Sequence, residues 1–150
     1  MPILTIPTQF GPLTLWEDDS AIVRLDWDGD GTDDTPLLVE AARQVQAYAA
    51  GTLTEFDLPL RIKGSDFQRD VCAQMSAIPF GETVTYGDIA KALNQSARAV
   101  GSACGGNPIP VIIPCHRVMG AKGLTGFSGK GGVETKVALL RHEGAGGFLI

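Results

Sequence analysis

Soft metal ligands are scarce in this chain: three cysteines and two histidines in 150 residues. Cys72, Cys104 and Cys115 are an odd count with no C-x-x-C pair, which argues against both a disulfide framework and a zinc finger. At least one thiol is free. Cys115-His116 offers two candidate ligands, but adjacent residues rarely point at one ion and no further Cys or His cluster accompanies them, so no metal is expected. Long apolar runs are missing as well. None approaches the length of about 18 residues needed to cross a bilayer. The start, Met1-Pro2-Ile3-Leu4-Thr5 with Pro7 and Gly11 close behind, lacks the basic and apolar stretches of a secretory signal. The expectation is a cytoplasmic protein with no membrane partner.

Positive charge is short overall, with a net of −5, but the deficit is local. Residues 1–60 hold 11 acidic and 2 basic side chains, a net of −9, whereas residues 61–150 hold 6 acidic and 10 basic ones, a net of +4. A region of positive sign can gain affinity from phosphates even within an acidic chain, and weak, salt-sensitive DNA binding is expected of it. With 44% hydrophobic and 19% charged residues the composition is globular rather than disordered. The length suits one domain or two small ones, read here as residues 1–60 and 61–150.

The first part alternates short apolar runs with turn signals: Ile3 to Ile6, Leu13 to Trp16, Ala21 to Trp27, a small antiparallel meander. Thr35-Pro36 caps a helix whose apolar residues Leu37, Leu38, Ala41, Ala42, Val45 and Tyr48 run to Gly51. Between them, Asp26-Trp27-Asp28-Gly29-Asp30-Gly31 imitates the start of a calcium loop, but Leu37 stands where the twelfth-position glutamate is required. A polar turn is the better reading.

In the second part Ser65-x-x-Gln68 reads as a capping box, followed by Phe67, Val71, Met75 and Ile78 at helical intervals until Pro79. Cys72 sits on this helix as a core residue. Pro79-Phe80-Gly81-Glu82 is a turn. Thr85 and Asp88 then cap a short helix, and Ser96 opens another running to about Gly106, a helix-turn-helix arrangement. The second helix is nearly without bulk: Ala97, Ala99, Gly101, Ser102, Ala103, Gly105, Gly106. Packing explains small residues on one face; a minor groove about 6 Å wide explains them equally. Arg98 is its one long cation, a surface residue, a phosphate contact or a wedge into the stack. Val111-Ile112-Ile113 reads as a short buried strand between prolines, which holds Cys115 at a strand end beside His116, the layout of an activated nucleophile. A last helix carries Val133, Val137 and Leu140 and is capped by Gly144.

Asn107-Pro108 followed by Pro114-Cys115-His116-Arg117-Val118 resembles the active-site signature of the O6-alkylguanine-DNA alkyltransferases, the methylated-DNA–protein-cysteine methyltransferases. Further matches are Pro79-Phe80-Gly81, Thr85-Tyr86-Gly87-Asp88-Ile89-Ala90, Arg98-Ala99-Val100-Gly101, Gly126-Phe127-Ser128-Gly129 and Leu139-Leu140-Arg141-His142-Glu143-Gly144, so the resemblance runs from about Asp66 to Gly144. It implies an α/β (α+β) fold, with a small ribonuclease-H-like N-terminal sheet and helix and a mainly helical C-terminal domain. That domain would carry a helix-turn-helix of winged-helix type.

The implied partner is double-stranded DNA containing O6-alkylguanine, entered from the minor groove by a monomer, with O4-alkylthymine left open as a second substrate. The base is flipped out, since chemistry inside a stacked duplex is sterically blocked. By matching positions, Cys115 is the alkyl acceptor, His116 deprotonates it through a water, Glu143 orients the imidazole, and Asn107 braces the turn between recognition helix and active site. Tyr86 rotates the 3′ phosphate and protonates the leaving guanine. Arg98 fills the space that the base vacates, with Ser96, Ala97 and Ala99 beside it on the DNA. Val118, Phe127, Ser128, Cys104 and Lys136 line the pocket. Phe127 replaces the tyrosine of many relatives and cannot donate a phenolic hydrogen bond; Lys130 and Gly131 lengthen the following segment; Cys104 replaces a larger apolar residue. These departures bear on which alkyl groups fit.

Independently of any family, a soft alkyl carbon suits a thiolate, and the thioether has no hydrolytic route back. No cofactor is required and each molecule acts once. Rival readings are a lesion-binding protein without transfer activity, against which Cys115 argues, a major-groove transcription regulator, and a thiol redox sensor.

Overall fold

Asp19 and Ser20 both adopt positive φ, 47° and 62°, the geometry of a two-residue hairpin turn whose twist matches that of the strands it joins. The turn connects β2 (Leu13–Asp18) to β3 (Ala21–Trp27), and β1 (Ile3–Ile6) pairs on the other side of β2. The sheet is antiparallel in the order β1-β2-β3, with Ile3 opposite Trp16 and Leu13 opposite Trp27, as the alternation of apolar runs and turns predicts. The computed structural model describes residues 1–120 and 132–145. These divide into two units, Met1–Lys63 and Gly64–Ile150.

In the first unit α1 (Pro36–Ala50) starts where the Thr35 hydroxyl accepts from Leu38 N, while the same hydroxyl donates to Glu17. It stops at Gly51, whose φ of 84° favours glycine. Leu38, Ala41, Val45 and Tyr48 are buried on the face packed against β1 and β2, whose own Leu13, Leu15 and, on β3, Ile22 are buried. Each large apolar side chain among these contributes about 1.5–3 kcal/mol. Gln44 shares this face because both ends of its amide are paired with the backbone of Asp57. The acidic segment after β3 is stitched to the sheet by two threonines: Thr14 donates to Asp28 O and Thr5 accepts from Gly31 N. Any side chain at Gly29 would meet Thr14 Oγ1 at 2.3 Å. Among the described residues no group of three or more His, Cys, Asp or Glu side chains converges to hold a metal ion.

The second unit contains α2 (Asp66–Ser76), β4 (Val84–Thr85), α3 (Tyr86–Leu93), α4 (Ala97–Gly105), β5 (Val118–Met119) and α5 (Val133–Glu143). Ser65 caps α2 by accepting from Gln68 N, but Gln68 turns away from the cap, and its Nε2 donates to Ala103 O at 2.8 Å. The reciprocal box expected from Ser65 and Gln68 gives way to a tie between α2 and α4. Thr85 and Asp88 do close a full box at the start of α3, and the hydrogen bonds from Thr85 hold the Asp88 carboxyl below its ordinary range. α3 ends at Asn94 in the left-handed conformation, and Ser96 caps α4. Among the described residues no helix is long and apolar enough to cross a membrane.

The expected strand before Cys115 is corrected. Val111 to Ile113 is a buried turn and no strand: Ile113 N donates to Ile109 O, and Val111 has a φ of 72°. Prolines 108, 110 and 114 lack the N–H groups a ladder needs, and the Asn107 side chain pairs with Ile109 N and Ile113 O. On α5 the inward residues are Lys136, Leu139, Leu140 and Glu143, whereas Val133 is exposed and Val137 half-buried. Two charged side chains face inward because each finds a buried partner.

Candidate active site

Asn107 folds the chain that delivers Cys115. Its Oδ1 accepts from Ile109 N at 3.0 Å and its Nδ2 donates to Ile113 O at 2.8 Å. From there Cys115 N donates to Ile113 O, and Arg117 N to Pro114 O, which winds Cys115–Arg117 into one 3-10 turn. Cys115 thus opens a tight helical turn instead of ending a strand, and it is buried at 5% exposure. Burial pushes its thiol up, opposed by a hydrogen bond with the Asn107 side chain and by the positive charge of Lys136. Cys104, buried on α4, is pushed up to about 12 by burial and then by the neighbouring thiols Cys115 and Cys72. Burial also raises Cys72. Of the three, only Cys115 combines a side-chain hydrogen bond with a favourable cation, so it is the thiol equipped to ionise.

His116 is fully buried, and its Nε2 lies 2.7 Å from Glu143 Oε2. Glu143 is held a second time: Arg117 Nε donates to Oε1 at 2.8 Å and Nη2 to Oε2 at 3.0 Å. The remaining Arg117 nitrogen, Nη1, donates to Ile78 O just beyond the C-terminus of α2, and its guanidinium lies 5.8 Å from the Phe80 ring centre. A carboxylate forked by arginine is an acceptor only. The hydrogen shared by His116 and Glu143 therefore sits on Nε2, so that in the neutral ring the lone pair is on Nδ1. That Nδ1 is buried and has no protein partner among the described residues. Burial lowers the basicity of His116, Glu143 raises it, and Arg117 and Lys136 lower it.

Lys136, on α5, is fully buried with Nζ donating to Val118 O at 2.6 Å. Burial pushes its ammonium down, and the Cys115 and Cys104 thiols pull it back up. Val118 also sets Tyr86 in place: β4 and β5 pair in parallel with Val84 opposite Val118 and Thr85 opposite Met119. Tyr86, half-buried, is the next residue along from β4 and the first of α3. Strand neighbours lie about 4.8 Å apart, so this pairing brings the start of α3 alongside the strand that follows the cysteine turn.

Arg98 and Ala97 are exposed on the first turn of α4, with Ser96 at the cap and Ala99 half-buried. A Cβ added at Gly101 or Gly105 would find nothing within 4 Å. Internal packing therefore does not require glycine at either position, and the small residues leave a thin outer face. Phe127 and Ser128 lie outside the described residues.

Family models match almost the whole chain. Residues 4–62 match the ribonuclease-like domain of 6-O-methylguanine DNA methyltransferase, and residues 66–145 match its DNA-binding domain. The chain belongs to this family. A methylated-DNA–protein-cysteine methyltransferase of Mycobacterium tuberculosis is 45% identical, over 93% of this chain and 90% of that protein. One from Archaeoglobus fulgidus is 50% identical over 70% of this chain and 74% of its own length. The crystal structure of the M. tuberculosis O6-methylguanine methyltransferase superposes with a TM-score of 0.85 at 42% identity, covering 95% of this chain and 92% of that one. The M. tuberculosis structure in complex with DNA gives 0.86 at 42% identity, covering 99% and 98%.

Within the methyltransferase DNA-binding domain the fold gathers Asn107, Cys115, His116, Val118, Lys136 and Glu143 into one buried cluster with Cys104 at its edge. Tyr86 stands alongside by strand pairing, and Arg98 with its small neighbours lies outside on α4. Arg117 was missed by sequence reasoning. It was present in the motif without a role, and the available signal was a long cation set between the apolar segment before Cys115 and Val118-Met119, where burial would demand a counterion.

Proposed function

We propose that this protein repairs DNA as a monomer in the cytoplasm, taking an alkyl group from O6-alkylguanine in duplex DNA onto Cys115, once and irreversibly. The observation that carries this is the buried Cys115-His116 pair with His116 held 2.7 Å from Glu143, in a chain of the 6-O-methylguanine DNA methyltransferase family.

The Cys115 proton passes to His116 Nδ1 through a bridging water, and the thiolate is stabilised by Asn107 and Lys136. Sγ attacks the alkyl carbon in line; the S–C bond forms as the C–O6 bond breaks, and the electron pair goes to the guanine. Tyr86 supplies the proton that the guanine takes up, and the proton held on His116 returns to the tyrosinate through solvent. The sum is thiol plus alkylguanine giving thioether plus guanine. Glu143 stabilises the imidazolium formed on the way. The helix α4 enters the minor groove, where its thin outer face brings the backbone to the sugar-phosphate edges, and Arg98 occupies the space of the extruded base. Val118, Cys104 and Lys136 shape the alkyl pocket.

The test is intact mass measurement after mixing with a duplex holding one O6-methylguanine. Wild type gains one methyl group mapped to Cys115 while the duplex regains guanine in equal amount, and Cys115→Ser gains nothing. A protein that binds the duplex and stays unmodified is a lesion-binding protein instead.

A further inference from the structure

Arg117 accounts for a feature that the Cys115-His116-Glu143 series leaves unexplained. A carboxylate hydrogen-bonded to a buried imidazole raises its basicity and so works toward the charged ring, against the burial that favours the neutral one. An imidazolium already formed cannot accept the thiol proton. Here the carboxylate is not alone: Arg117 occupies both oxygens of Glu143, at 2.8 and 3.0 Å, and the three side chains are buried together.

We propose that Arg117 is a positioning residue which, by forking Glu143, keeps His116 a neutral Nε2-protonated imidazole whose Nδ1 is free to receive the Cys115 proton. The inference rests on the transfer reaction proposed above for its purpose, while the protonation state of His116 stands apart from it. Charge is balanced in the resting site, since Arg117 neutralises Glu143 and leaves no net negative charge to attract a proton onto the ring. Among the described residues the other charged group acting on His116 is Lys136 from α5. Lys136 acts in the same sense as Arg117, opposing a charge on the ring. The third arm of the guanidinium, on Ile78 O, anchors Arg117 to the end of α2, where the helix dipole favours a cation. The fork thus keeps its place when the proton moves. A lysine cannot reproduce the bidentate geometry, although it supplies the charge.

The experiment is nitrogen NMR of the two imidazoles, His116 and His142, assigned with a His142→Gln sample, together with the pH profile of single-turnover methyl transfer. In the wild type the His116 Nε2 carries hydrogen and Nδ1 does not at pH 7. In Arg117→Met a larger fraction of the ring carries hydrogen on both nitrogens at pH 7, the transfer rate at that pH falls by up to about tenfold, and the acid limb of the profile moves up by about one pH unit. The sign follows from the base: His116 works only when neutral, so raising its pKa starts the loss at higher pH, and activity recovers as pH is raised further. Arg117→Lys keeps the neutral ring and the wild-type acid limb, with a lower plateau. An imidazolium at His116 in the wild type at pH 7 overturns the proposal even if Arg117→Met does not fold. So does a folded Arg117→Met whose loss is the same at every pH while its ring stays neutral. If the wild type transfers no methyl group at all, the reaction reading fails, and the NMR result still reports on Arg117 separately.

Discussion

Asn107 and Ile113 are joined across a buried turn by a 2.8 Å hydrogen bond from the Asn107 amide to the Ile113 carbonyl, and this bond sets where Cys115 stands. The same side chain accepts from Ile109 N and hydrogen-bonds the thiol, so one amide serves the fold and the nucleophile.

Asn107→Ala therefore leaves the buried Ile109 N without its acceptor and removes one of the two donors on Ile113 O. A loss of about 1–3 kcal/mol is expected, the cost of one unsatisfied buried group. Urea unfolding of the Cys115→Ser background measures it without interference from thiol reactivity. A change below about 0.5 kcal/mol, well under the cost of a single unsatisfied group, would show that the turn stands without Asn107.

Lys136 lowers the pKa of Cys115 through its charge. Lys136→Met removes that charge and raises the thiol pKa, so thiolate becomes scarcer at pH 7–8. The rate of Cys115 modification by a small haloacetamide should fall about tenfold for every pH unit by which the thiol's titration moves upward. An unchanged profile would separate Lys136 from thiol ionisation and leave it only its bond to Val118 O.

His116 has a folded-state pKa depressed chiefly by burial. The unfolded chain, titrating near 6.5, then binds the proton more readily than the folded one. Stability is complete above about pH 6.5 and declines as pH falls below it, with a slope of up to about 1.4 kcal/mol per pH unit. His116→Gln should flatten this slope between about pH 6.5 and 5 in urea titrations. Glu40, held down to about 2 mainly by its bond with Arg43, and Asp88 contribute only at more acidic pH, so the window belongs to the histidine.

Gly101 has open space where a side chain would go. Gly101→Ala should stabilise α4 by about 0.5–1 kcal/mol through helix propensity. Gly101→Leu should fold equally well and lose affinity for duplex DNA by fluorescence anisotropy, because bulk is added to the face proposed to approach the groove. Equal affinity for wild type and Gly101→Leu would move the DNA contact off this face.

The local features were legible in the residues. Thr35-Pro36, Gly51, Thr85 with Asp88, Ser96 and Gly144 bound helices as their side-chain chemistry demands, because a cap involves groups within about four residues of one another. The segments around Cys115 and before Gly144 marked Cys115, His116 and Glu143 by resemblance. Periodicity misread Val111 to Ile113, since a short apolar run looks alike in a strand and in a buried turn; Asn107 and three prolines decided between them. Tertiary structure alone determined the bond between Arg117 and Glu143, 26 residues apart, and the pairing of Val84 with Val118. Such contacts join groups that no local propensity relates: a buried charge must find its counterion and a short strand its ladder partner, and only the packed chain brings them within reach.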